Sequence, residues 1–67
     1  MKRITEEGTT KVVKTVNGYE IEKSYELTVN AFDEVKGRKA FYSCVFDDTI
    51  YETFDTLKSA VDYCKAH

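Results

Sequence analysis

Few side chains in this 67-residue chain could do chemistry: Cys44 and Cys64, the single histidine His67, the adjacent carboxylates Asp47 and Asp48, and the basic run Lys36-Gly37-Arg38-Lys39. A cysteine nucleophile needs a nearby base or a helix N-terminus to lower its pKa, and neither stands beside Cys44 or Cys64 in the sequence. General-base work needs a held imidazole, whereas His67 is the last residue of the sequence. Neighbouring aspartates are commonly turn formers. Gly8, Gly18 and Gly37 stand alone, so no glycine-rich phosphate loop is present. A structural zinc takes four ligands; without a C-x-x-C pair, these would have to include carboxylates from unrelated positions. The expectation is a non-enzymatic protein with no catalytic, cofactor-binding or metal-binding residues.

Binding remains, and three features bear on it. Lys36, Arg38 and Lys39 are the only basic cluster, and at a hairpin tip they would reach a phosphate backbone. The net charge of −2 works against nucleic acid, because nonspecific binding rests on a net basic surface. Simple solvation is the plainer reading of that turn. Glu20, Glu22 and Glu26 recur on one phase of a strand pattern, which reads as an ordinary solvated face. The aromatic residues are the strongest feature. Phe32, Phe41, Tyr42, Phe46 and Tyr51 cannot all fit under one short helix, and those left outside are candidate interface anchors.

The elements that must position these residues follow from periodicity. Asn17-Gly18 supplies the two positive-φ residues of a tight type I′ hairpin. It joins a strand over about Thr10–Val16 to a second over Tyr19–Phe32. The second carries Tyr19, Ile21, Tyr25, Leu27, Val29 and Ala31 on one phase, the period of a half-buried strand. The two-residue loop sets Val16 opposite Tyr19, Lys14 opposite Ile21 and Val12 opposite Lys23. Lys14 and Lys23 therefore fall on the apolar side, where lysine snorkels or a bulge turns it away. The second strand exceeds the usual length, so a bend is expected near Lys23 and Ser24.

Asp33 to Arg38 reads as a turn around Gly37, followed by a third strand over Lys39–Phe46. Both of its phases are apolar, as in strands covered on two sides. Phe41, Tyr42 and Val45 on this strand, with Tyr51 on a fourth strand over Ile50–Phe54, are the interface candidates. Leu57, Ala60, Val61 and Cys64 form one helical stripe behind a cap at Thr56 or Asp55. The fold class is α+β: a small antiparallel meander of three to four strands with one C-terminal helix packed on one face, β-β-β-β-α. Residues 1–9 read as a flexible N-terminal tail and residues 10–67 as a single domain. Leu57, Val61, Ile21, Leu27 and Val29 should form one core cluster.

Strands followed by Phe54-Asp55-Thr56-Leu57-Lys58-Ser59-Ala60 resemble the arm-type DNA-binding domains of mobile-element integrases. There, too, a phenylalanine and a helix-capping threonine follow a three-stranded sheet. The resemblance implies DNA contact through the sheet. The chain departs from it in its acidic face at Glu20, Glu22 and Glu26, and no residue role carries over.

Lys2-Arg3 has no apolar run behind it, and no stretch approaches the roughly 18 apolar residues of a membrane span. A cytoplasmic location is expected, where cysteines stay as thiols; a Cys44–Cys64 bridge requires sheet and helix to meet at those residues. The chain reads as a small binding or accessory protein, an inhibitor or adaptor of the kind found in phage and mobile elements. It acts on a protein partner or as a twofold homodimer. The alternative is a nucleic-acid-binding accessory protein using Lys36–Lys39.

Overall fold

Four backbone reversals fix the topology of the chain, described at all 67 residues by a computed structural model. Asn17 and Gly18 both take positive φ (51° and 85°), as the hairpin requires. They join β2 (Lys11–Val16) to β3 (Tyr19–Val29). Asn30 closes the next turn with its own side chain, whose Oδ1 accepts from the amides of Phe32 (2.8 Å) and Glu34 (3.0 Å). Strand β4 (Val35–Phe46) then returns along β3. Asp47 and Asp48, again both at positive φ, turn the chain into β5 (Thr49–Phe54). Aspartate tolerates this region better than most residues. The fourth reversal is the handover from β5 to helix α1 (Leu57–Ala66), capped by Thr56, whose hydroxyl accepts from Ser59 N–H at 3.2 Å.

The result is the expected α+β architecture, an antiparallel sheet followed by one helix, with a strand that the sequence reading did not anticipate. Lys2–Thr5, assigned to a tail, forms strand β1 against Glu26–Val29 of β3. The reason is nonlocal. Strand β2 pairs only with Tyr19–Lys23, which leaves the outer edge of β3 beyond Ser24 with unpaired backbone groups that β1 satisfies. β1 and β2 are thus two collinear stretches of one interrupted edge, broken at Glu7-Gly8 where Gly8 has φ 81°. The Glu6 amide still donates to Tyr25 O (2.8 Å), and Thr10 Oγ1 meets Ser24 Oγ at 3.0 Å across the gap.

Three registers differ from expectation. A bulge at Val13 sets Val12 opposite Glu22 and Lys11 opposite Lys23, although Lys14–Ile21 and Val16–Tyr19 pair as read from the loop length. Lys36, Gly37, Arg38 and Lys39 lie within β4 rather than in a turn, because Asn30 closes the reversal early. Gly37 sits in the ladder opposite Thr28. On β5 a bulge between the Cys44–Glu52 and Val45–Ile50 pairs leaves Tyr51 unopposed.

Helix α1 lies over one end of the sheet. Ile21, Cys44, Ala60 and Cys64 are fully buried there, ringed by Val16, Tyr19, Tyr42, Phe54, Val61 and Tyr63. Small residues at 60 and 64 let the helix backbone approach closely, and the Cys44 thiol donates to Ala60 O at 3.5 Å. The expected single core is corrected accordingly. Leu57, the first helical residue, is 37% exposed at the sheet margin, and neither Leu27 nor Val29 belongs to the cluster beneath the helix.

Beyond the helix, cations and rings alternate on the same face of the sheet. The Lys23 ammonium lies 5.4 Å from the Tyr25 ring centre and 6.0 Å from that of Tyr42, and the Arg38 guanidinium lies 3.6 Å over Tyr25. Cation–π attraction and aliphatic stems thus shelter the rings where no helix does. No helix is long and apolar enough to cross a membrane.

Candidate protein-interaction surface

The four aromatic and aliphatic interface candidates do not share a surface. Strand alternation puts Tyr42 on the helix side, half-buried against the core. Phe41 and Val45 lie on the opposite face, also half-buried. Tyr51 is 52% exposed. The rings that stand out into solvent are Phe32 (82% exposed), Phe46 (47%) and Tyr51. The sequence-level count of too many aromatics for one helix therefore holds, while the residues left outside are partly different ones.

Phe46 and Tyr51 belong to an ordered aromatic pad at the end of the sheet under α1. Tyr19 is its centre, with ring centroids 5.5 Å from Phe46, 6.0 Å from Tyr51 and 6.2 Å from Tyr63. Phe46 and Tyr51 are 6.4 Å apart, and Phe54 backs Tyr63 at 5.5 Å. These separations and the tilted or edge-on angles are those of favourable aromatic pairs. Local chain chemistry explains each position. The Asp47-Asp48 turn holds Phe46 at the end of β4, and the β5 bulge swings Tyr51 onto the helix side beside Tyr19. Phe46 packs beside Gly18, where a Cβ would meet the ring in ordinary contact at 3.5 Å, so the positive φ rather than space favours glycine there.

The helix end closes the pad. Asn17 Nδ2 donates to Cys64 O at 3.2 Å, tying the hairpin tip to the last turn. His67 stacks on Tyr63 at 4.1 Å and 18°, with Nδ1 2.9 Å from Tyr63 O. Desolvation raises the Tyr63 pKa above its ordinary value, with Tyr19 and Glu52 adding to the effect. Asp47, Asp48 and Glu52 lie around this surface, and none forms an ion pair within the chain.

The basic cluster is disposed differently. Lys36 Nζ is 3.5 Å from Glu34, Arg38 Nε 2.8 Å from Glu6, and Lys39 Nζ 3.3 Å from Asp55. All three cations therefore face a carboxylate of their own chain. The hydrogen bond that Arg38 donates to the Glu6 carboxylate holds the Arg38 pKa up. Lys39 also lines a groove of about 560 Å³ with Arg3, Glu26, Phe41, Thr53 and Asp55. Its charges are matched in place, Arg3 with Glu26 at 3.9 Å and Lys39 with Asp55. No three His, Cys, Asp or Glu side chains gather as a metal-binding group.

Phe46 was within reach of sequence reasoning, as an aromatic residue next to a two-aspartate turn. The pad around it was not, because it depends on a bulge. Comparison with known proteins adds nothing to this geometry: no family model, curated protein or solved structure matches the chain.

Proposed function

We propose that this chain is a non-enzymatic binding module that recognises a protein partner, or a second copy of itself, through the aromatic pad at Phe46 and Tyr51. The observation that carries this reading is the exposure of two rings on a pre-packed aromatic base. Aromatic side chains with few rotatable bonds lose little entropy on contact and dominate interface energetics. The pad is ordered by its own neighbours, so a partner meets a surface already in place. Phe32, presented by the Asn30-closed turn at the other end of β3, offers a second, separate anchor.

The test compares wild type with the double variant Phe46→Ser/Tyr51→Ser and with Phe32→Ser. Each is checked for folding by circular dichroism, then assayed by light scattering at micromolar concentration and by capture from its native cell. Self-association, or a captured protein, that is lost in the double variant supports the pad. Retention in a folded double variant with loss in Phe32→Ser moves the contact to the turn. Retention in both refutes the reading.

The nucleic-acid alternative rests on Lys36, Arg38 and Lys39. Their pairing with Glu34, Glu6 and Asp55 reduces the positive charge available to a phosphate backbone, which favours the protein reading. Binding to DNA or RNA with a steep salt dependence would reverse that preference.

A further inference from the structure

The two thiols of the chain lie against each other in the core. Cys64 Sγ is 3.3 Å from Cys44 Sγ, and both residues are fully buried. Cys44 sits near the C-terminal end of β4 and Cys64 on the last turn of α1, so a bond between them would cross from sheet to helix. A disulfide has an S–S length of about 2.05 Å, so the sulfurs need to approach by only about 1.3 Å. We infer that Cys44 and Cys64 form an intramolecular disulfide-forming site, closed by a small-molecule disulfide of the glutathione class, that pins the helix onto the sheet.

The chemistry balances as two thiol–disulfide exchanges. The Cys64 thiolate attacks one sulfur of the small disulfide, forming a mixed disulfide and expelling one small thiolate. The Cys44 thiolate then attacks the Cys64 sulfur, forming the Cys44–Cys64 bond and expelling the second. The two protein thiols give up their protons to the two small thiols released. Two electrons pass from the cysteine pair to the small disulfide, and a reducing thiol reverses both steps.

Burial sets when this happens. In the closed state, desolvation and the Cys64 hydrogen bond push the Cys44 thiol up to about 12, which keeps it protonated and inert. The oxidant reaches the pair only when the last helical turn lifts. That turn is held by the Asn17–Cys64 hydrogen bond and by the seating of Tyr63 and Cys64. Its opening removes the desolvation from Cys44 and uncovers Cys64 in the same motion. Closure of the bond then constrains the 20-residue separation between the two cysteines and fixes Tyr63, the floor of the aromatic pad.

The folded protein, reduced and then incubated with oxidised glutathione, tests this. The expected product has no free thiol after unfolding, has lost two hydrogens in mass, carries no glutathione and runs as a monomer without reductant. Its thermal midpoint should rise by on the order of 10 °C and return to the starting value with dithiothreitol. Cys64→Ser should show no such rise. A persistent glutathione adduct, a disulfide-linked dimer, or an unchanged or lowered midpoint after oxidation would overturn the inference. So would thiols that stay free for a period sufficient to oxidise the urea-unfolded chain, or an equal rise in Cys64→Ser.

Discussion

Ile21→Ala and Leu57→Ala separate the observed core from the one that helical periodicity suggests. Leucine at position 57 begins the apolar stripe of α1, and the pattern alone makes it the principal core contact. In the structure Leu57 is 37% exposed, whereas Ile21 is fully buried between Cys44, Ala60 and Cys64. Truncating a buried isoleucine to alanine costs about 2–5 kcal/mol, with the higher values where the site cannot collapse. Collapse is restricted here. The helix over Ile21 is held by the Thr56 cap at one end and the Asn17 hydrogen bond at the other. Leu57 gives up part of a surface still wetted by solvent, and its truncation should cost about 1 kcal/mol or less. Against a total of roughly 3–10 kcal/mol for a chain of this length, the first change is severe and the second tolerable. Urea denaturation followed by circular dichroism measures both. With a slope of about 1 kcal/mol per molar urea, Ile21→Ala should lower the midpoint by about 2 M or leave the chain unfolded. Leu57→Ala should lower it by about 1 M at most. Equal losses would show that the helix docks through Leu57, and the assignment of Ala60 and Cys64 as the contact face would fail.

Thr56→Ala should cost about 1 kcal/mol by leaving the Ser59 amide without its cap, while Thr56→Asn should cost little; urea midpoints read both. Gly18→Ala should destabilise the hairpin by about 1 kcal/mol, because the residue stands at φ 85°, and should shift the Phe46 ring resonances, since the ring is 3.5 Å from the added methyl. Stability should also fall in alkali. Cys44 titrates near 9.0 when unfolded and near 12 when folded, so the folded state retains a proton that the unfolded state loses. The contribution is complete below pH 9 and is lost as pH rises towards 12, at up to about 1.4 kcal/mol per pH unit. Denaturation at pH 8 and pH 10 should show the drop, and Cys44→Ala should make it shallower, leaving the part that the raised Tyr63 pKa contributes. Removing residues 1–5 should expose the β3 edge from Glu26 to Val29 and increase self-association by light scattering; an unchanged monomer would contradict a structural role for β1.

What the sequence made legible was local. Asn17-Gly18 encodes positive φ in residue type, so the hairpin and its Lys14–Ile21 pairing follow from two letters. The cap is narrowed in the same way to Thr56 or Asp55, and the structure selects Thr56. Elements that depend on a neighbour's unmet needs were hidden. Lys2–Thr5 has only Ile4 as an apolar residue, and it pairs because β3 has an open edge there, which no window of the sequence displays. The Asp33–Arg38 segment looked like a turn because Gly37 suggested one, but the Asn30 side chain had already supplied the closure. The same limit applies to the surface. Counting aromatics against helix area shows that some must lie outside. Which ones is decided by the Asn30-closed turn at Phe32, the Asp47-Asp48 turn at Phe46 and the β5 bulge at Tyr51, none of which a count displays.

A mismatch of lengths ties these observations together. The sheet extends the molecule to 43 Å, while a ten-residue helix spans about 15 Å. One helix can therefore cover only the end of the sheet holding Ile21 and Cys44. The remainder of β3 and β4 must be stabilised without it. Tyr42, Lys23, Tyr25 and Arg38 do this on the helix-side face by stacking cations on rings, and β1 does it along the edge. One of the two lysines on the apolar phase is part of that arrangement: Lys23 lies where the helix has ended and an ammonium between two rings takes its place. The same arrangement engages Arg38. Its guanidinium is already engaged by the Tyr25 face and the Glu6 carboxylate, and drawing it away would uncover the ring that shelters the helix-free half of the sheet. The aromatic pad has no comparable internal duty on its outer side. Phe46 and Tyr51 rest on Tyr19 with their other faces open, and the proposed contact at this end of the molecule rests on that asymmetry.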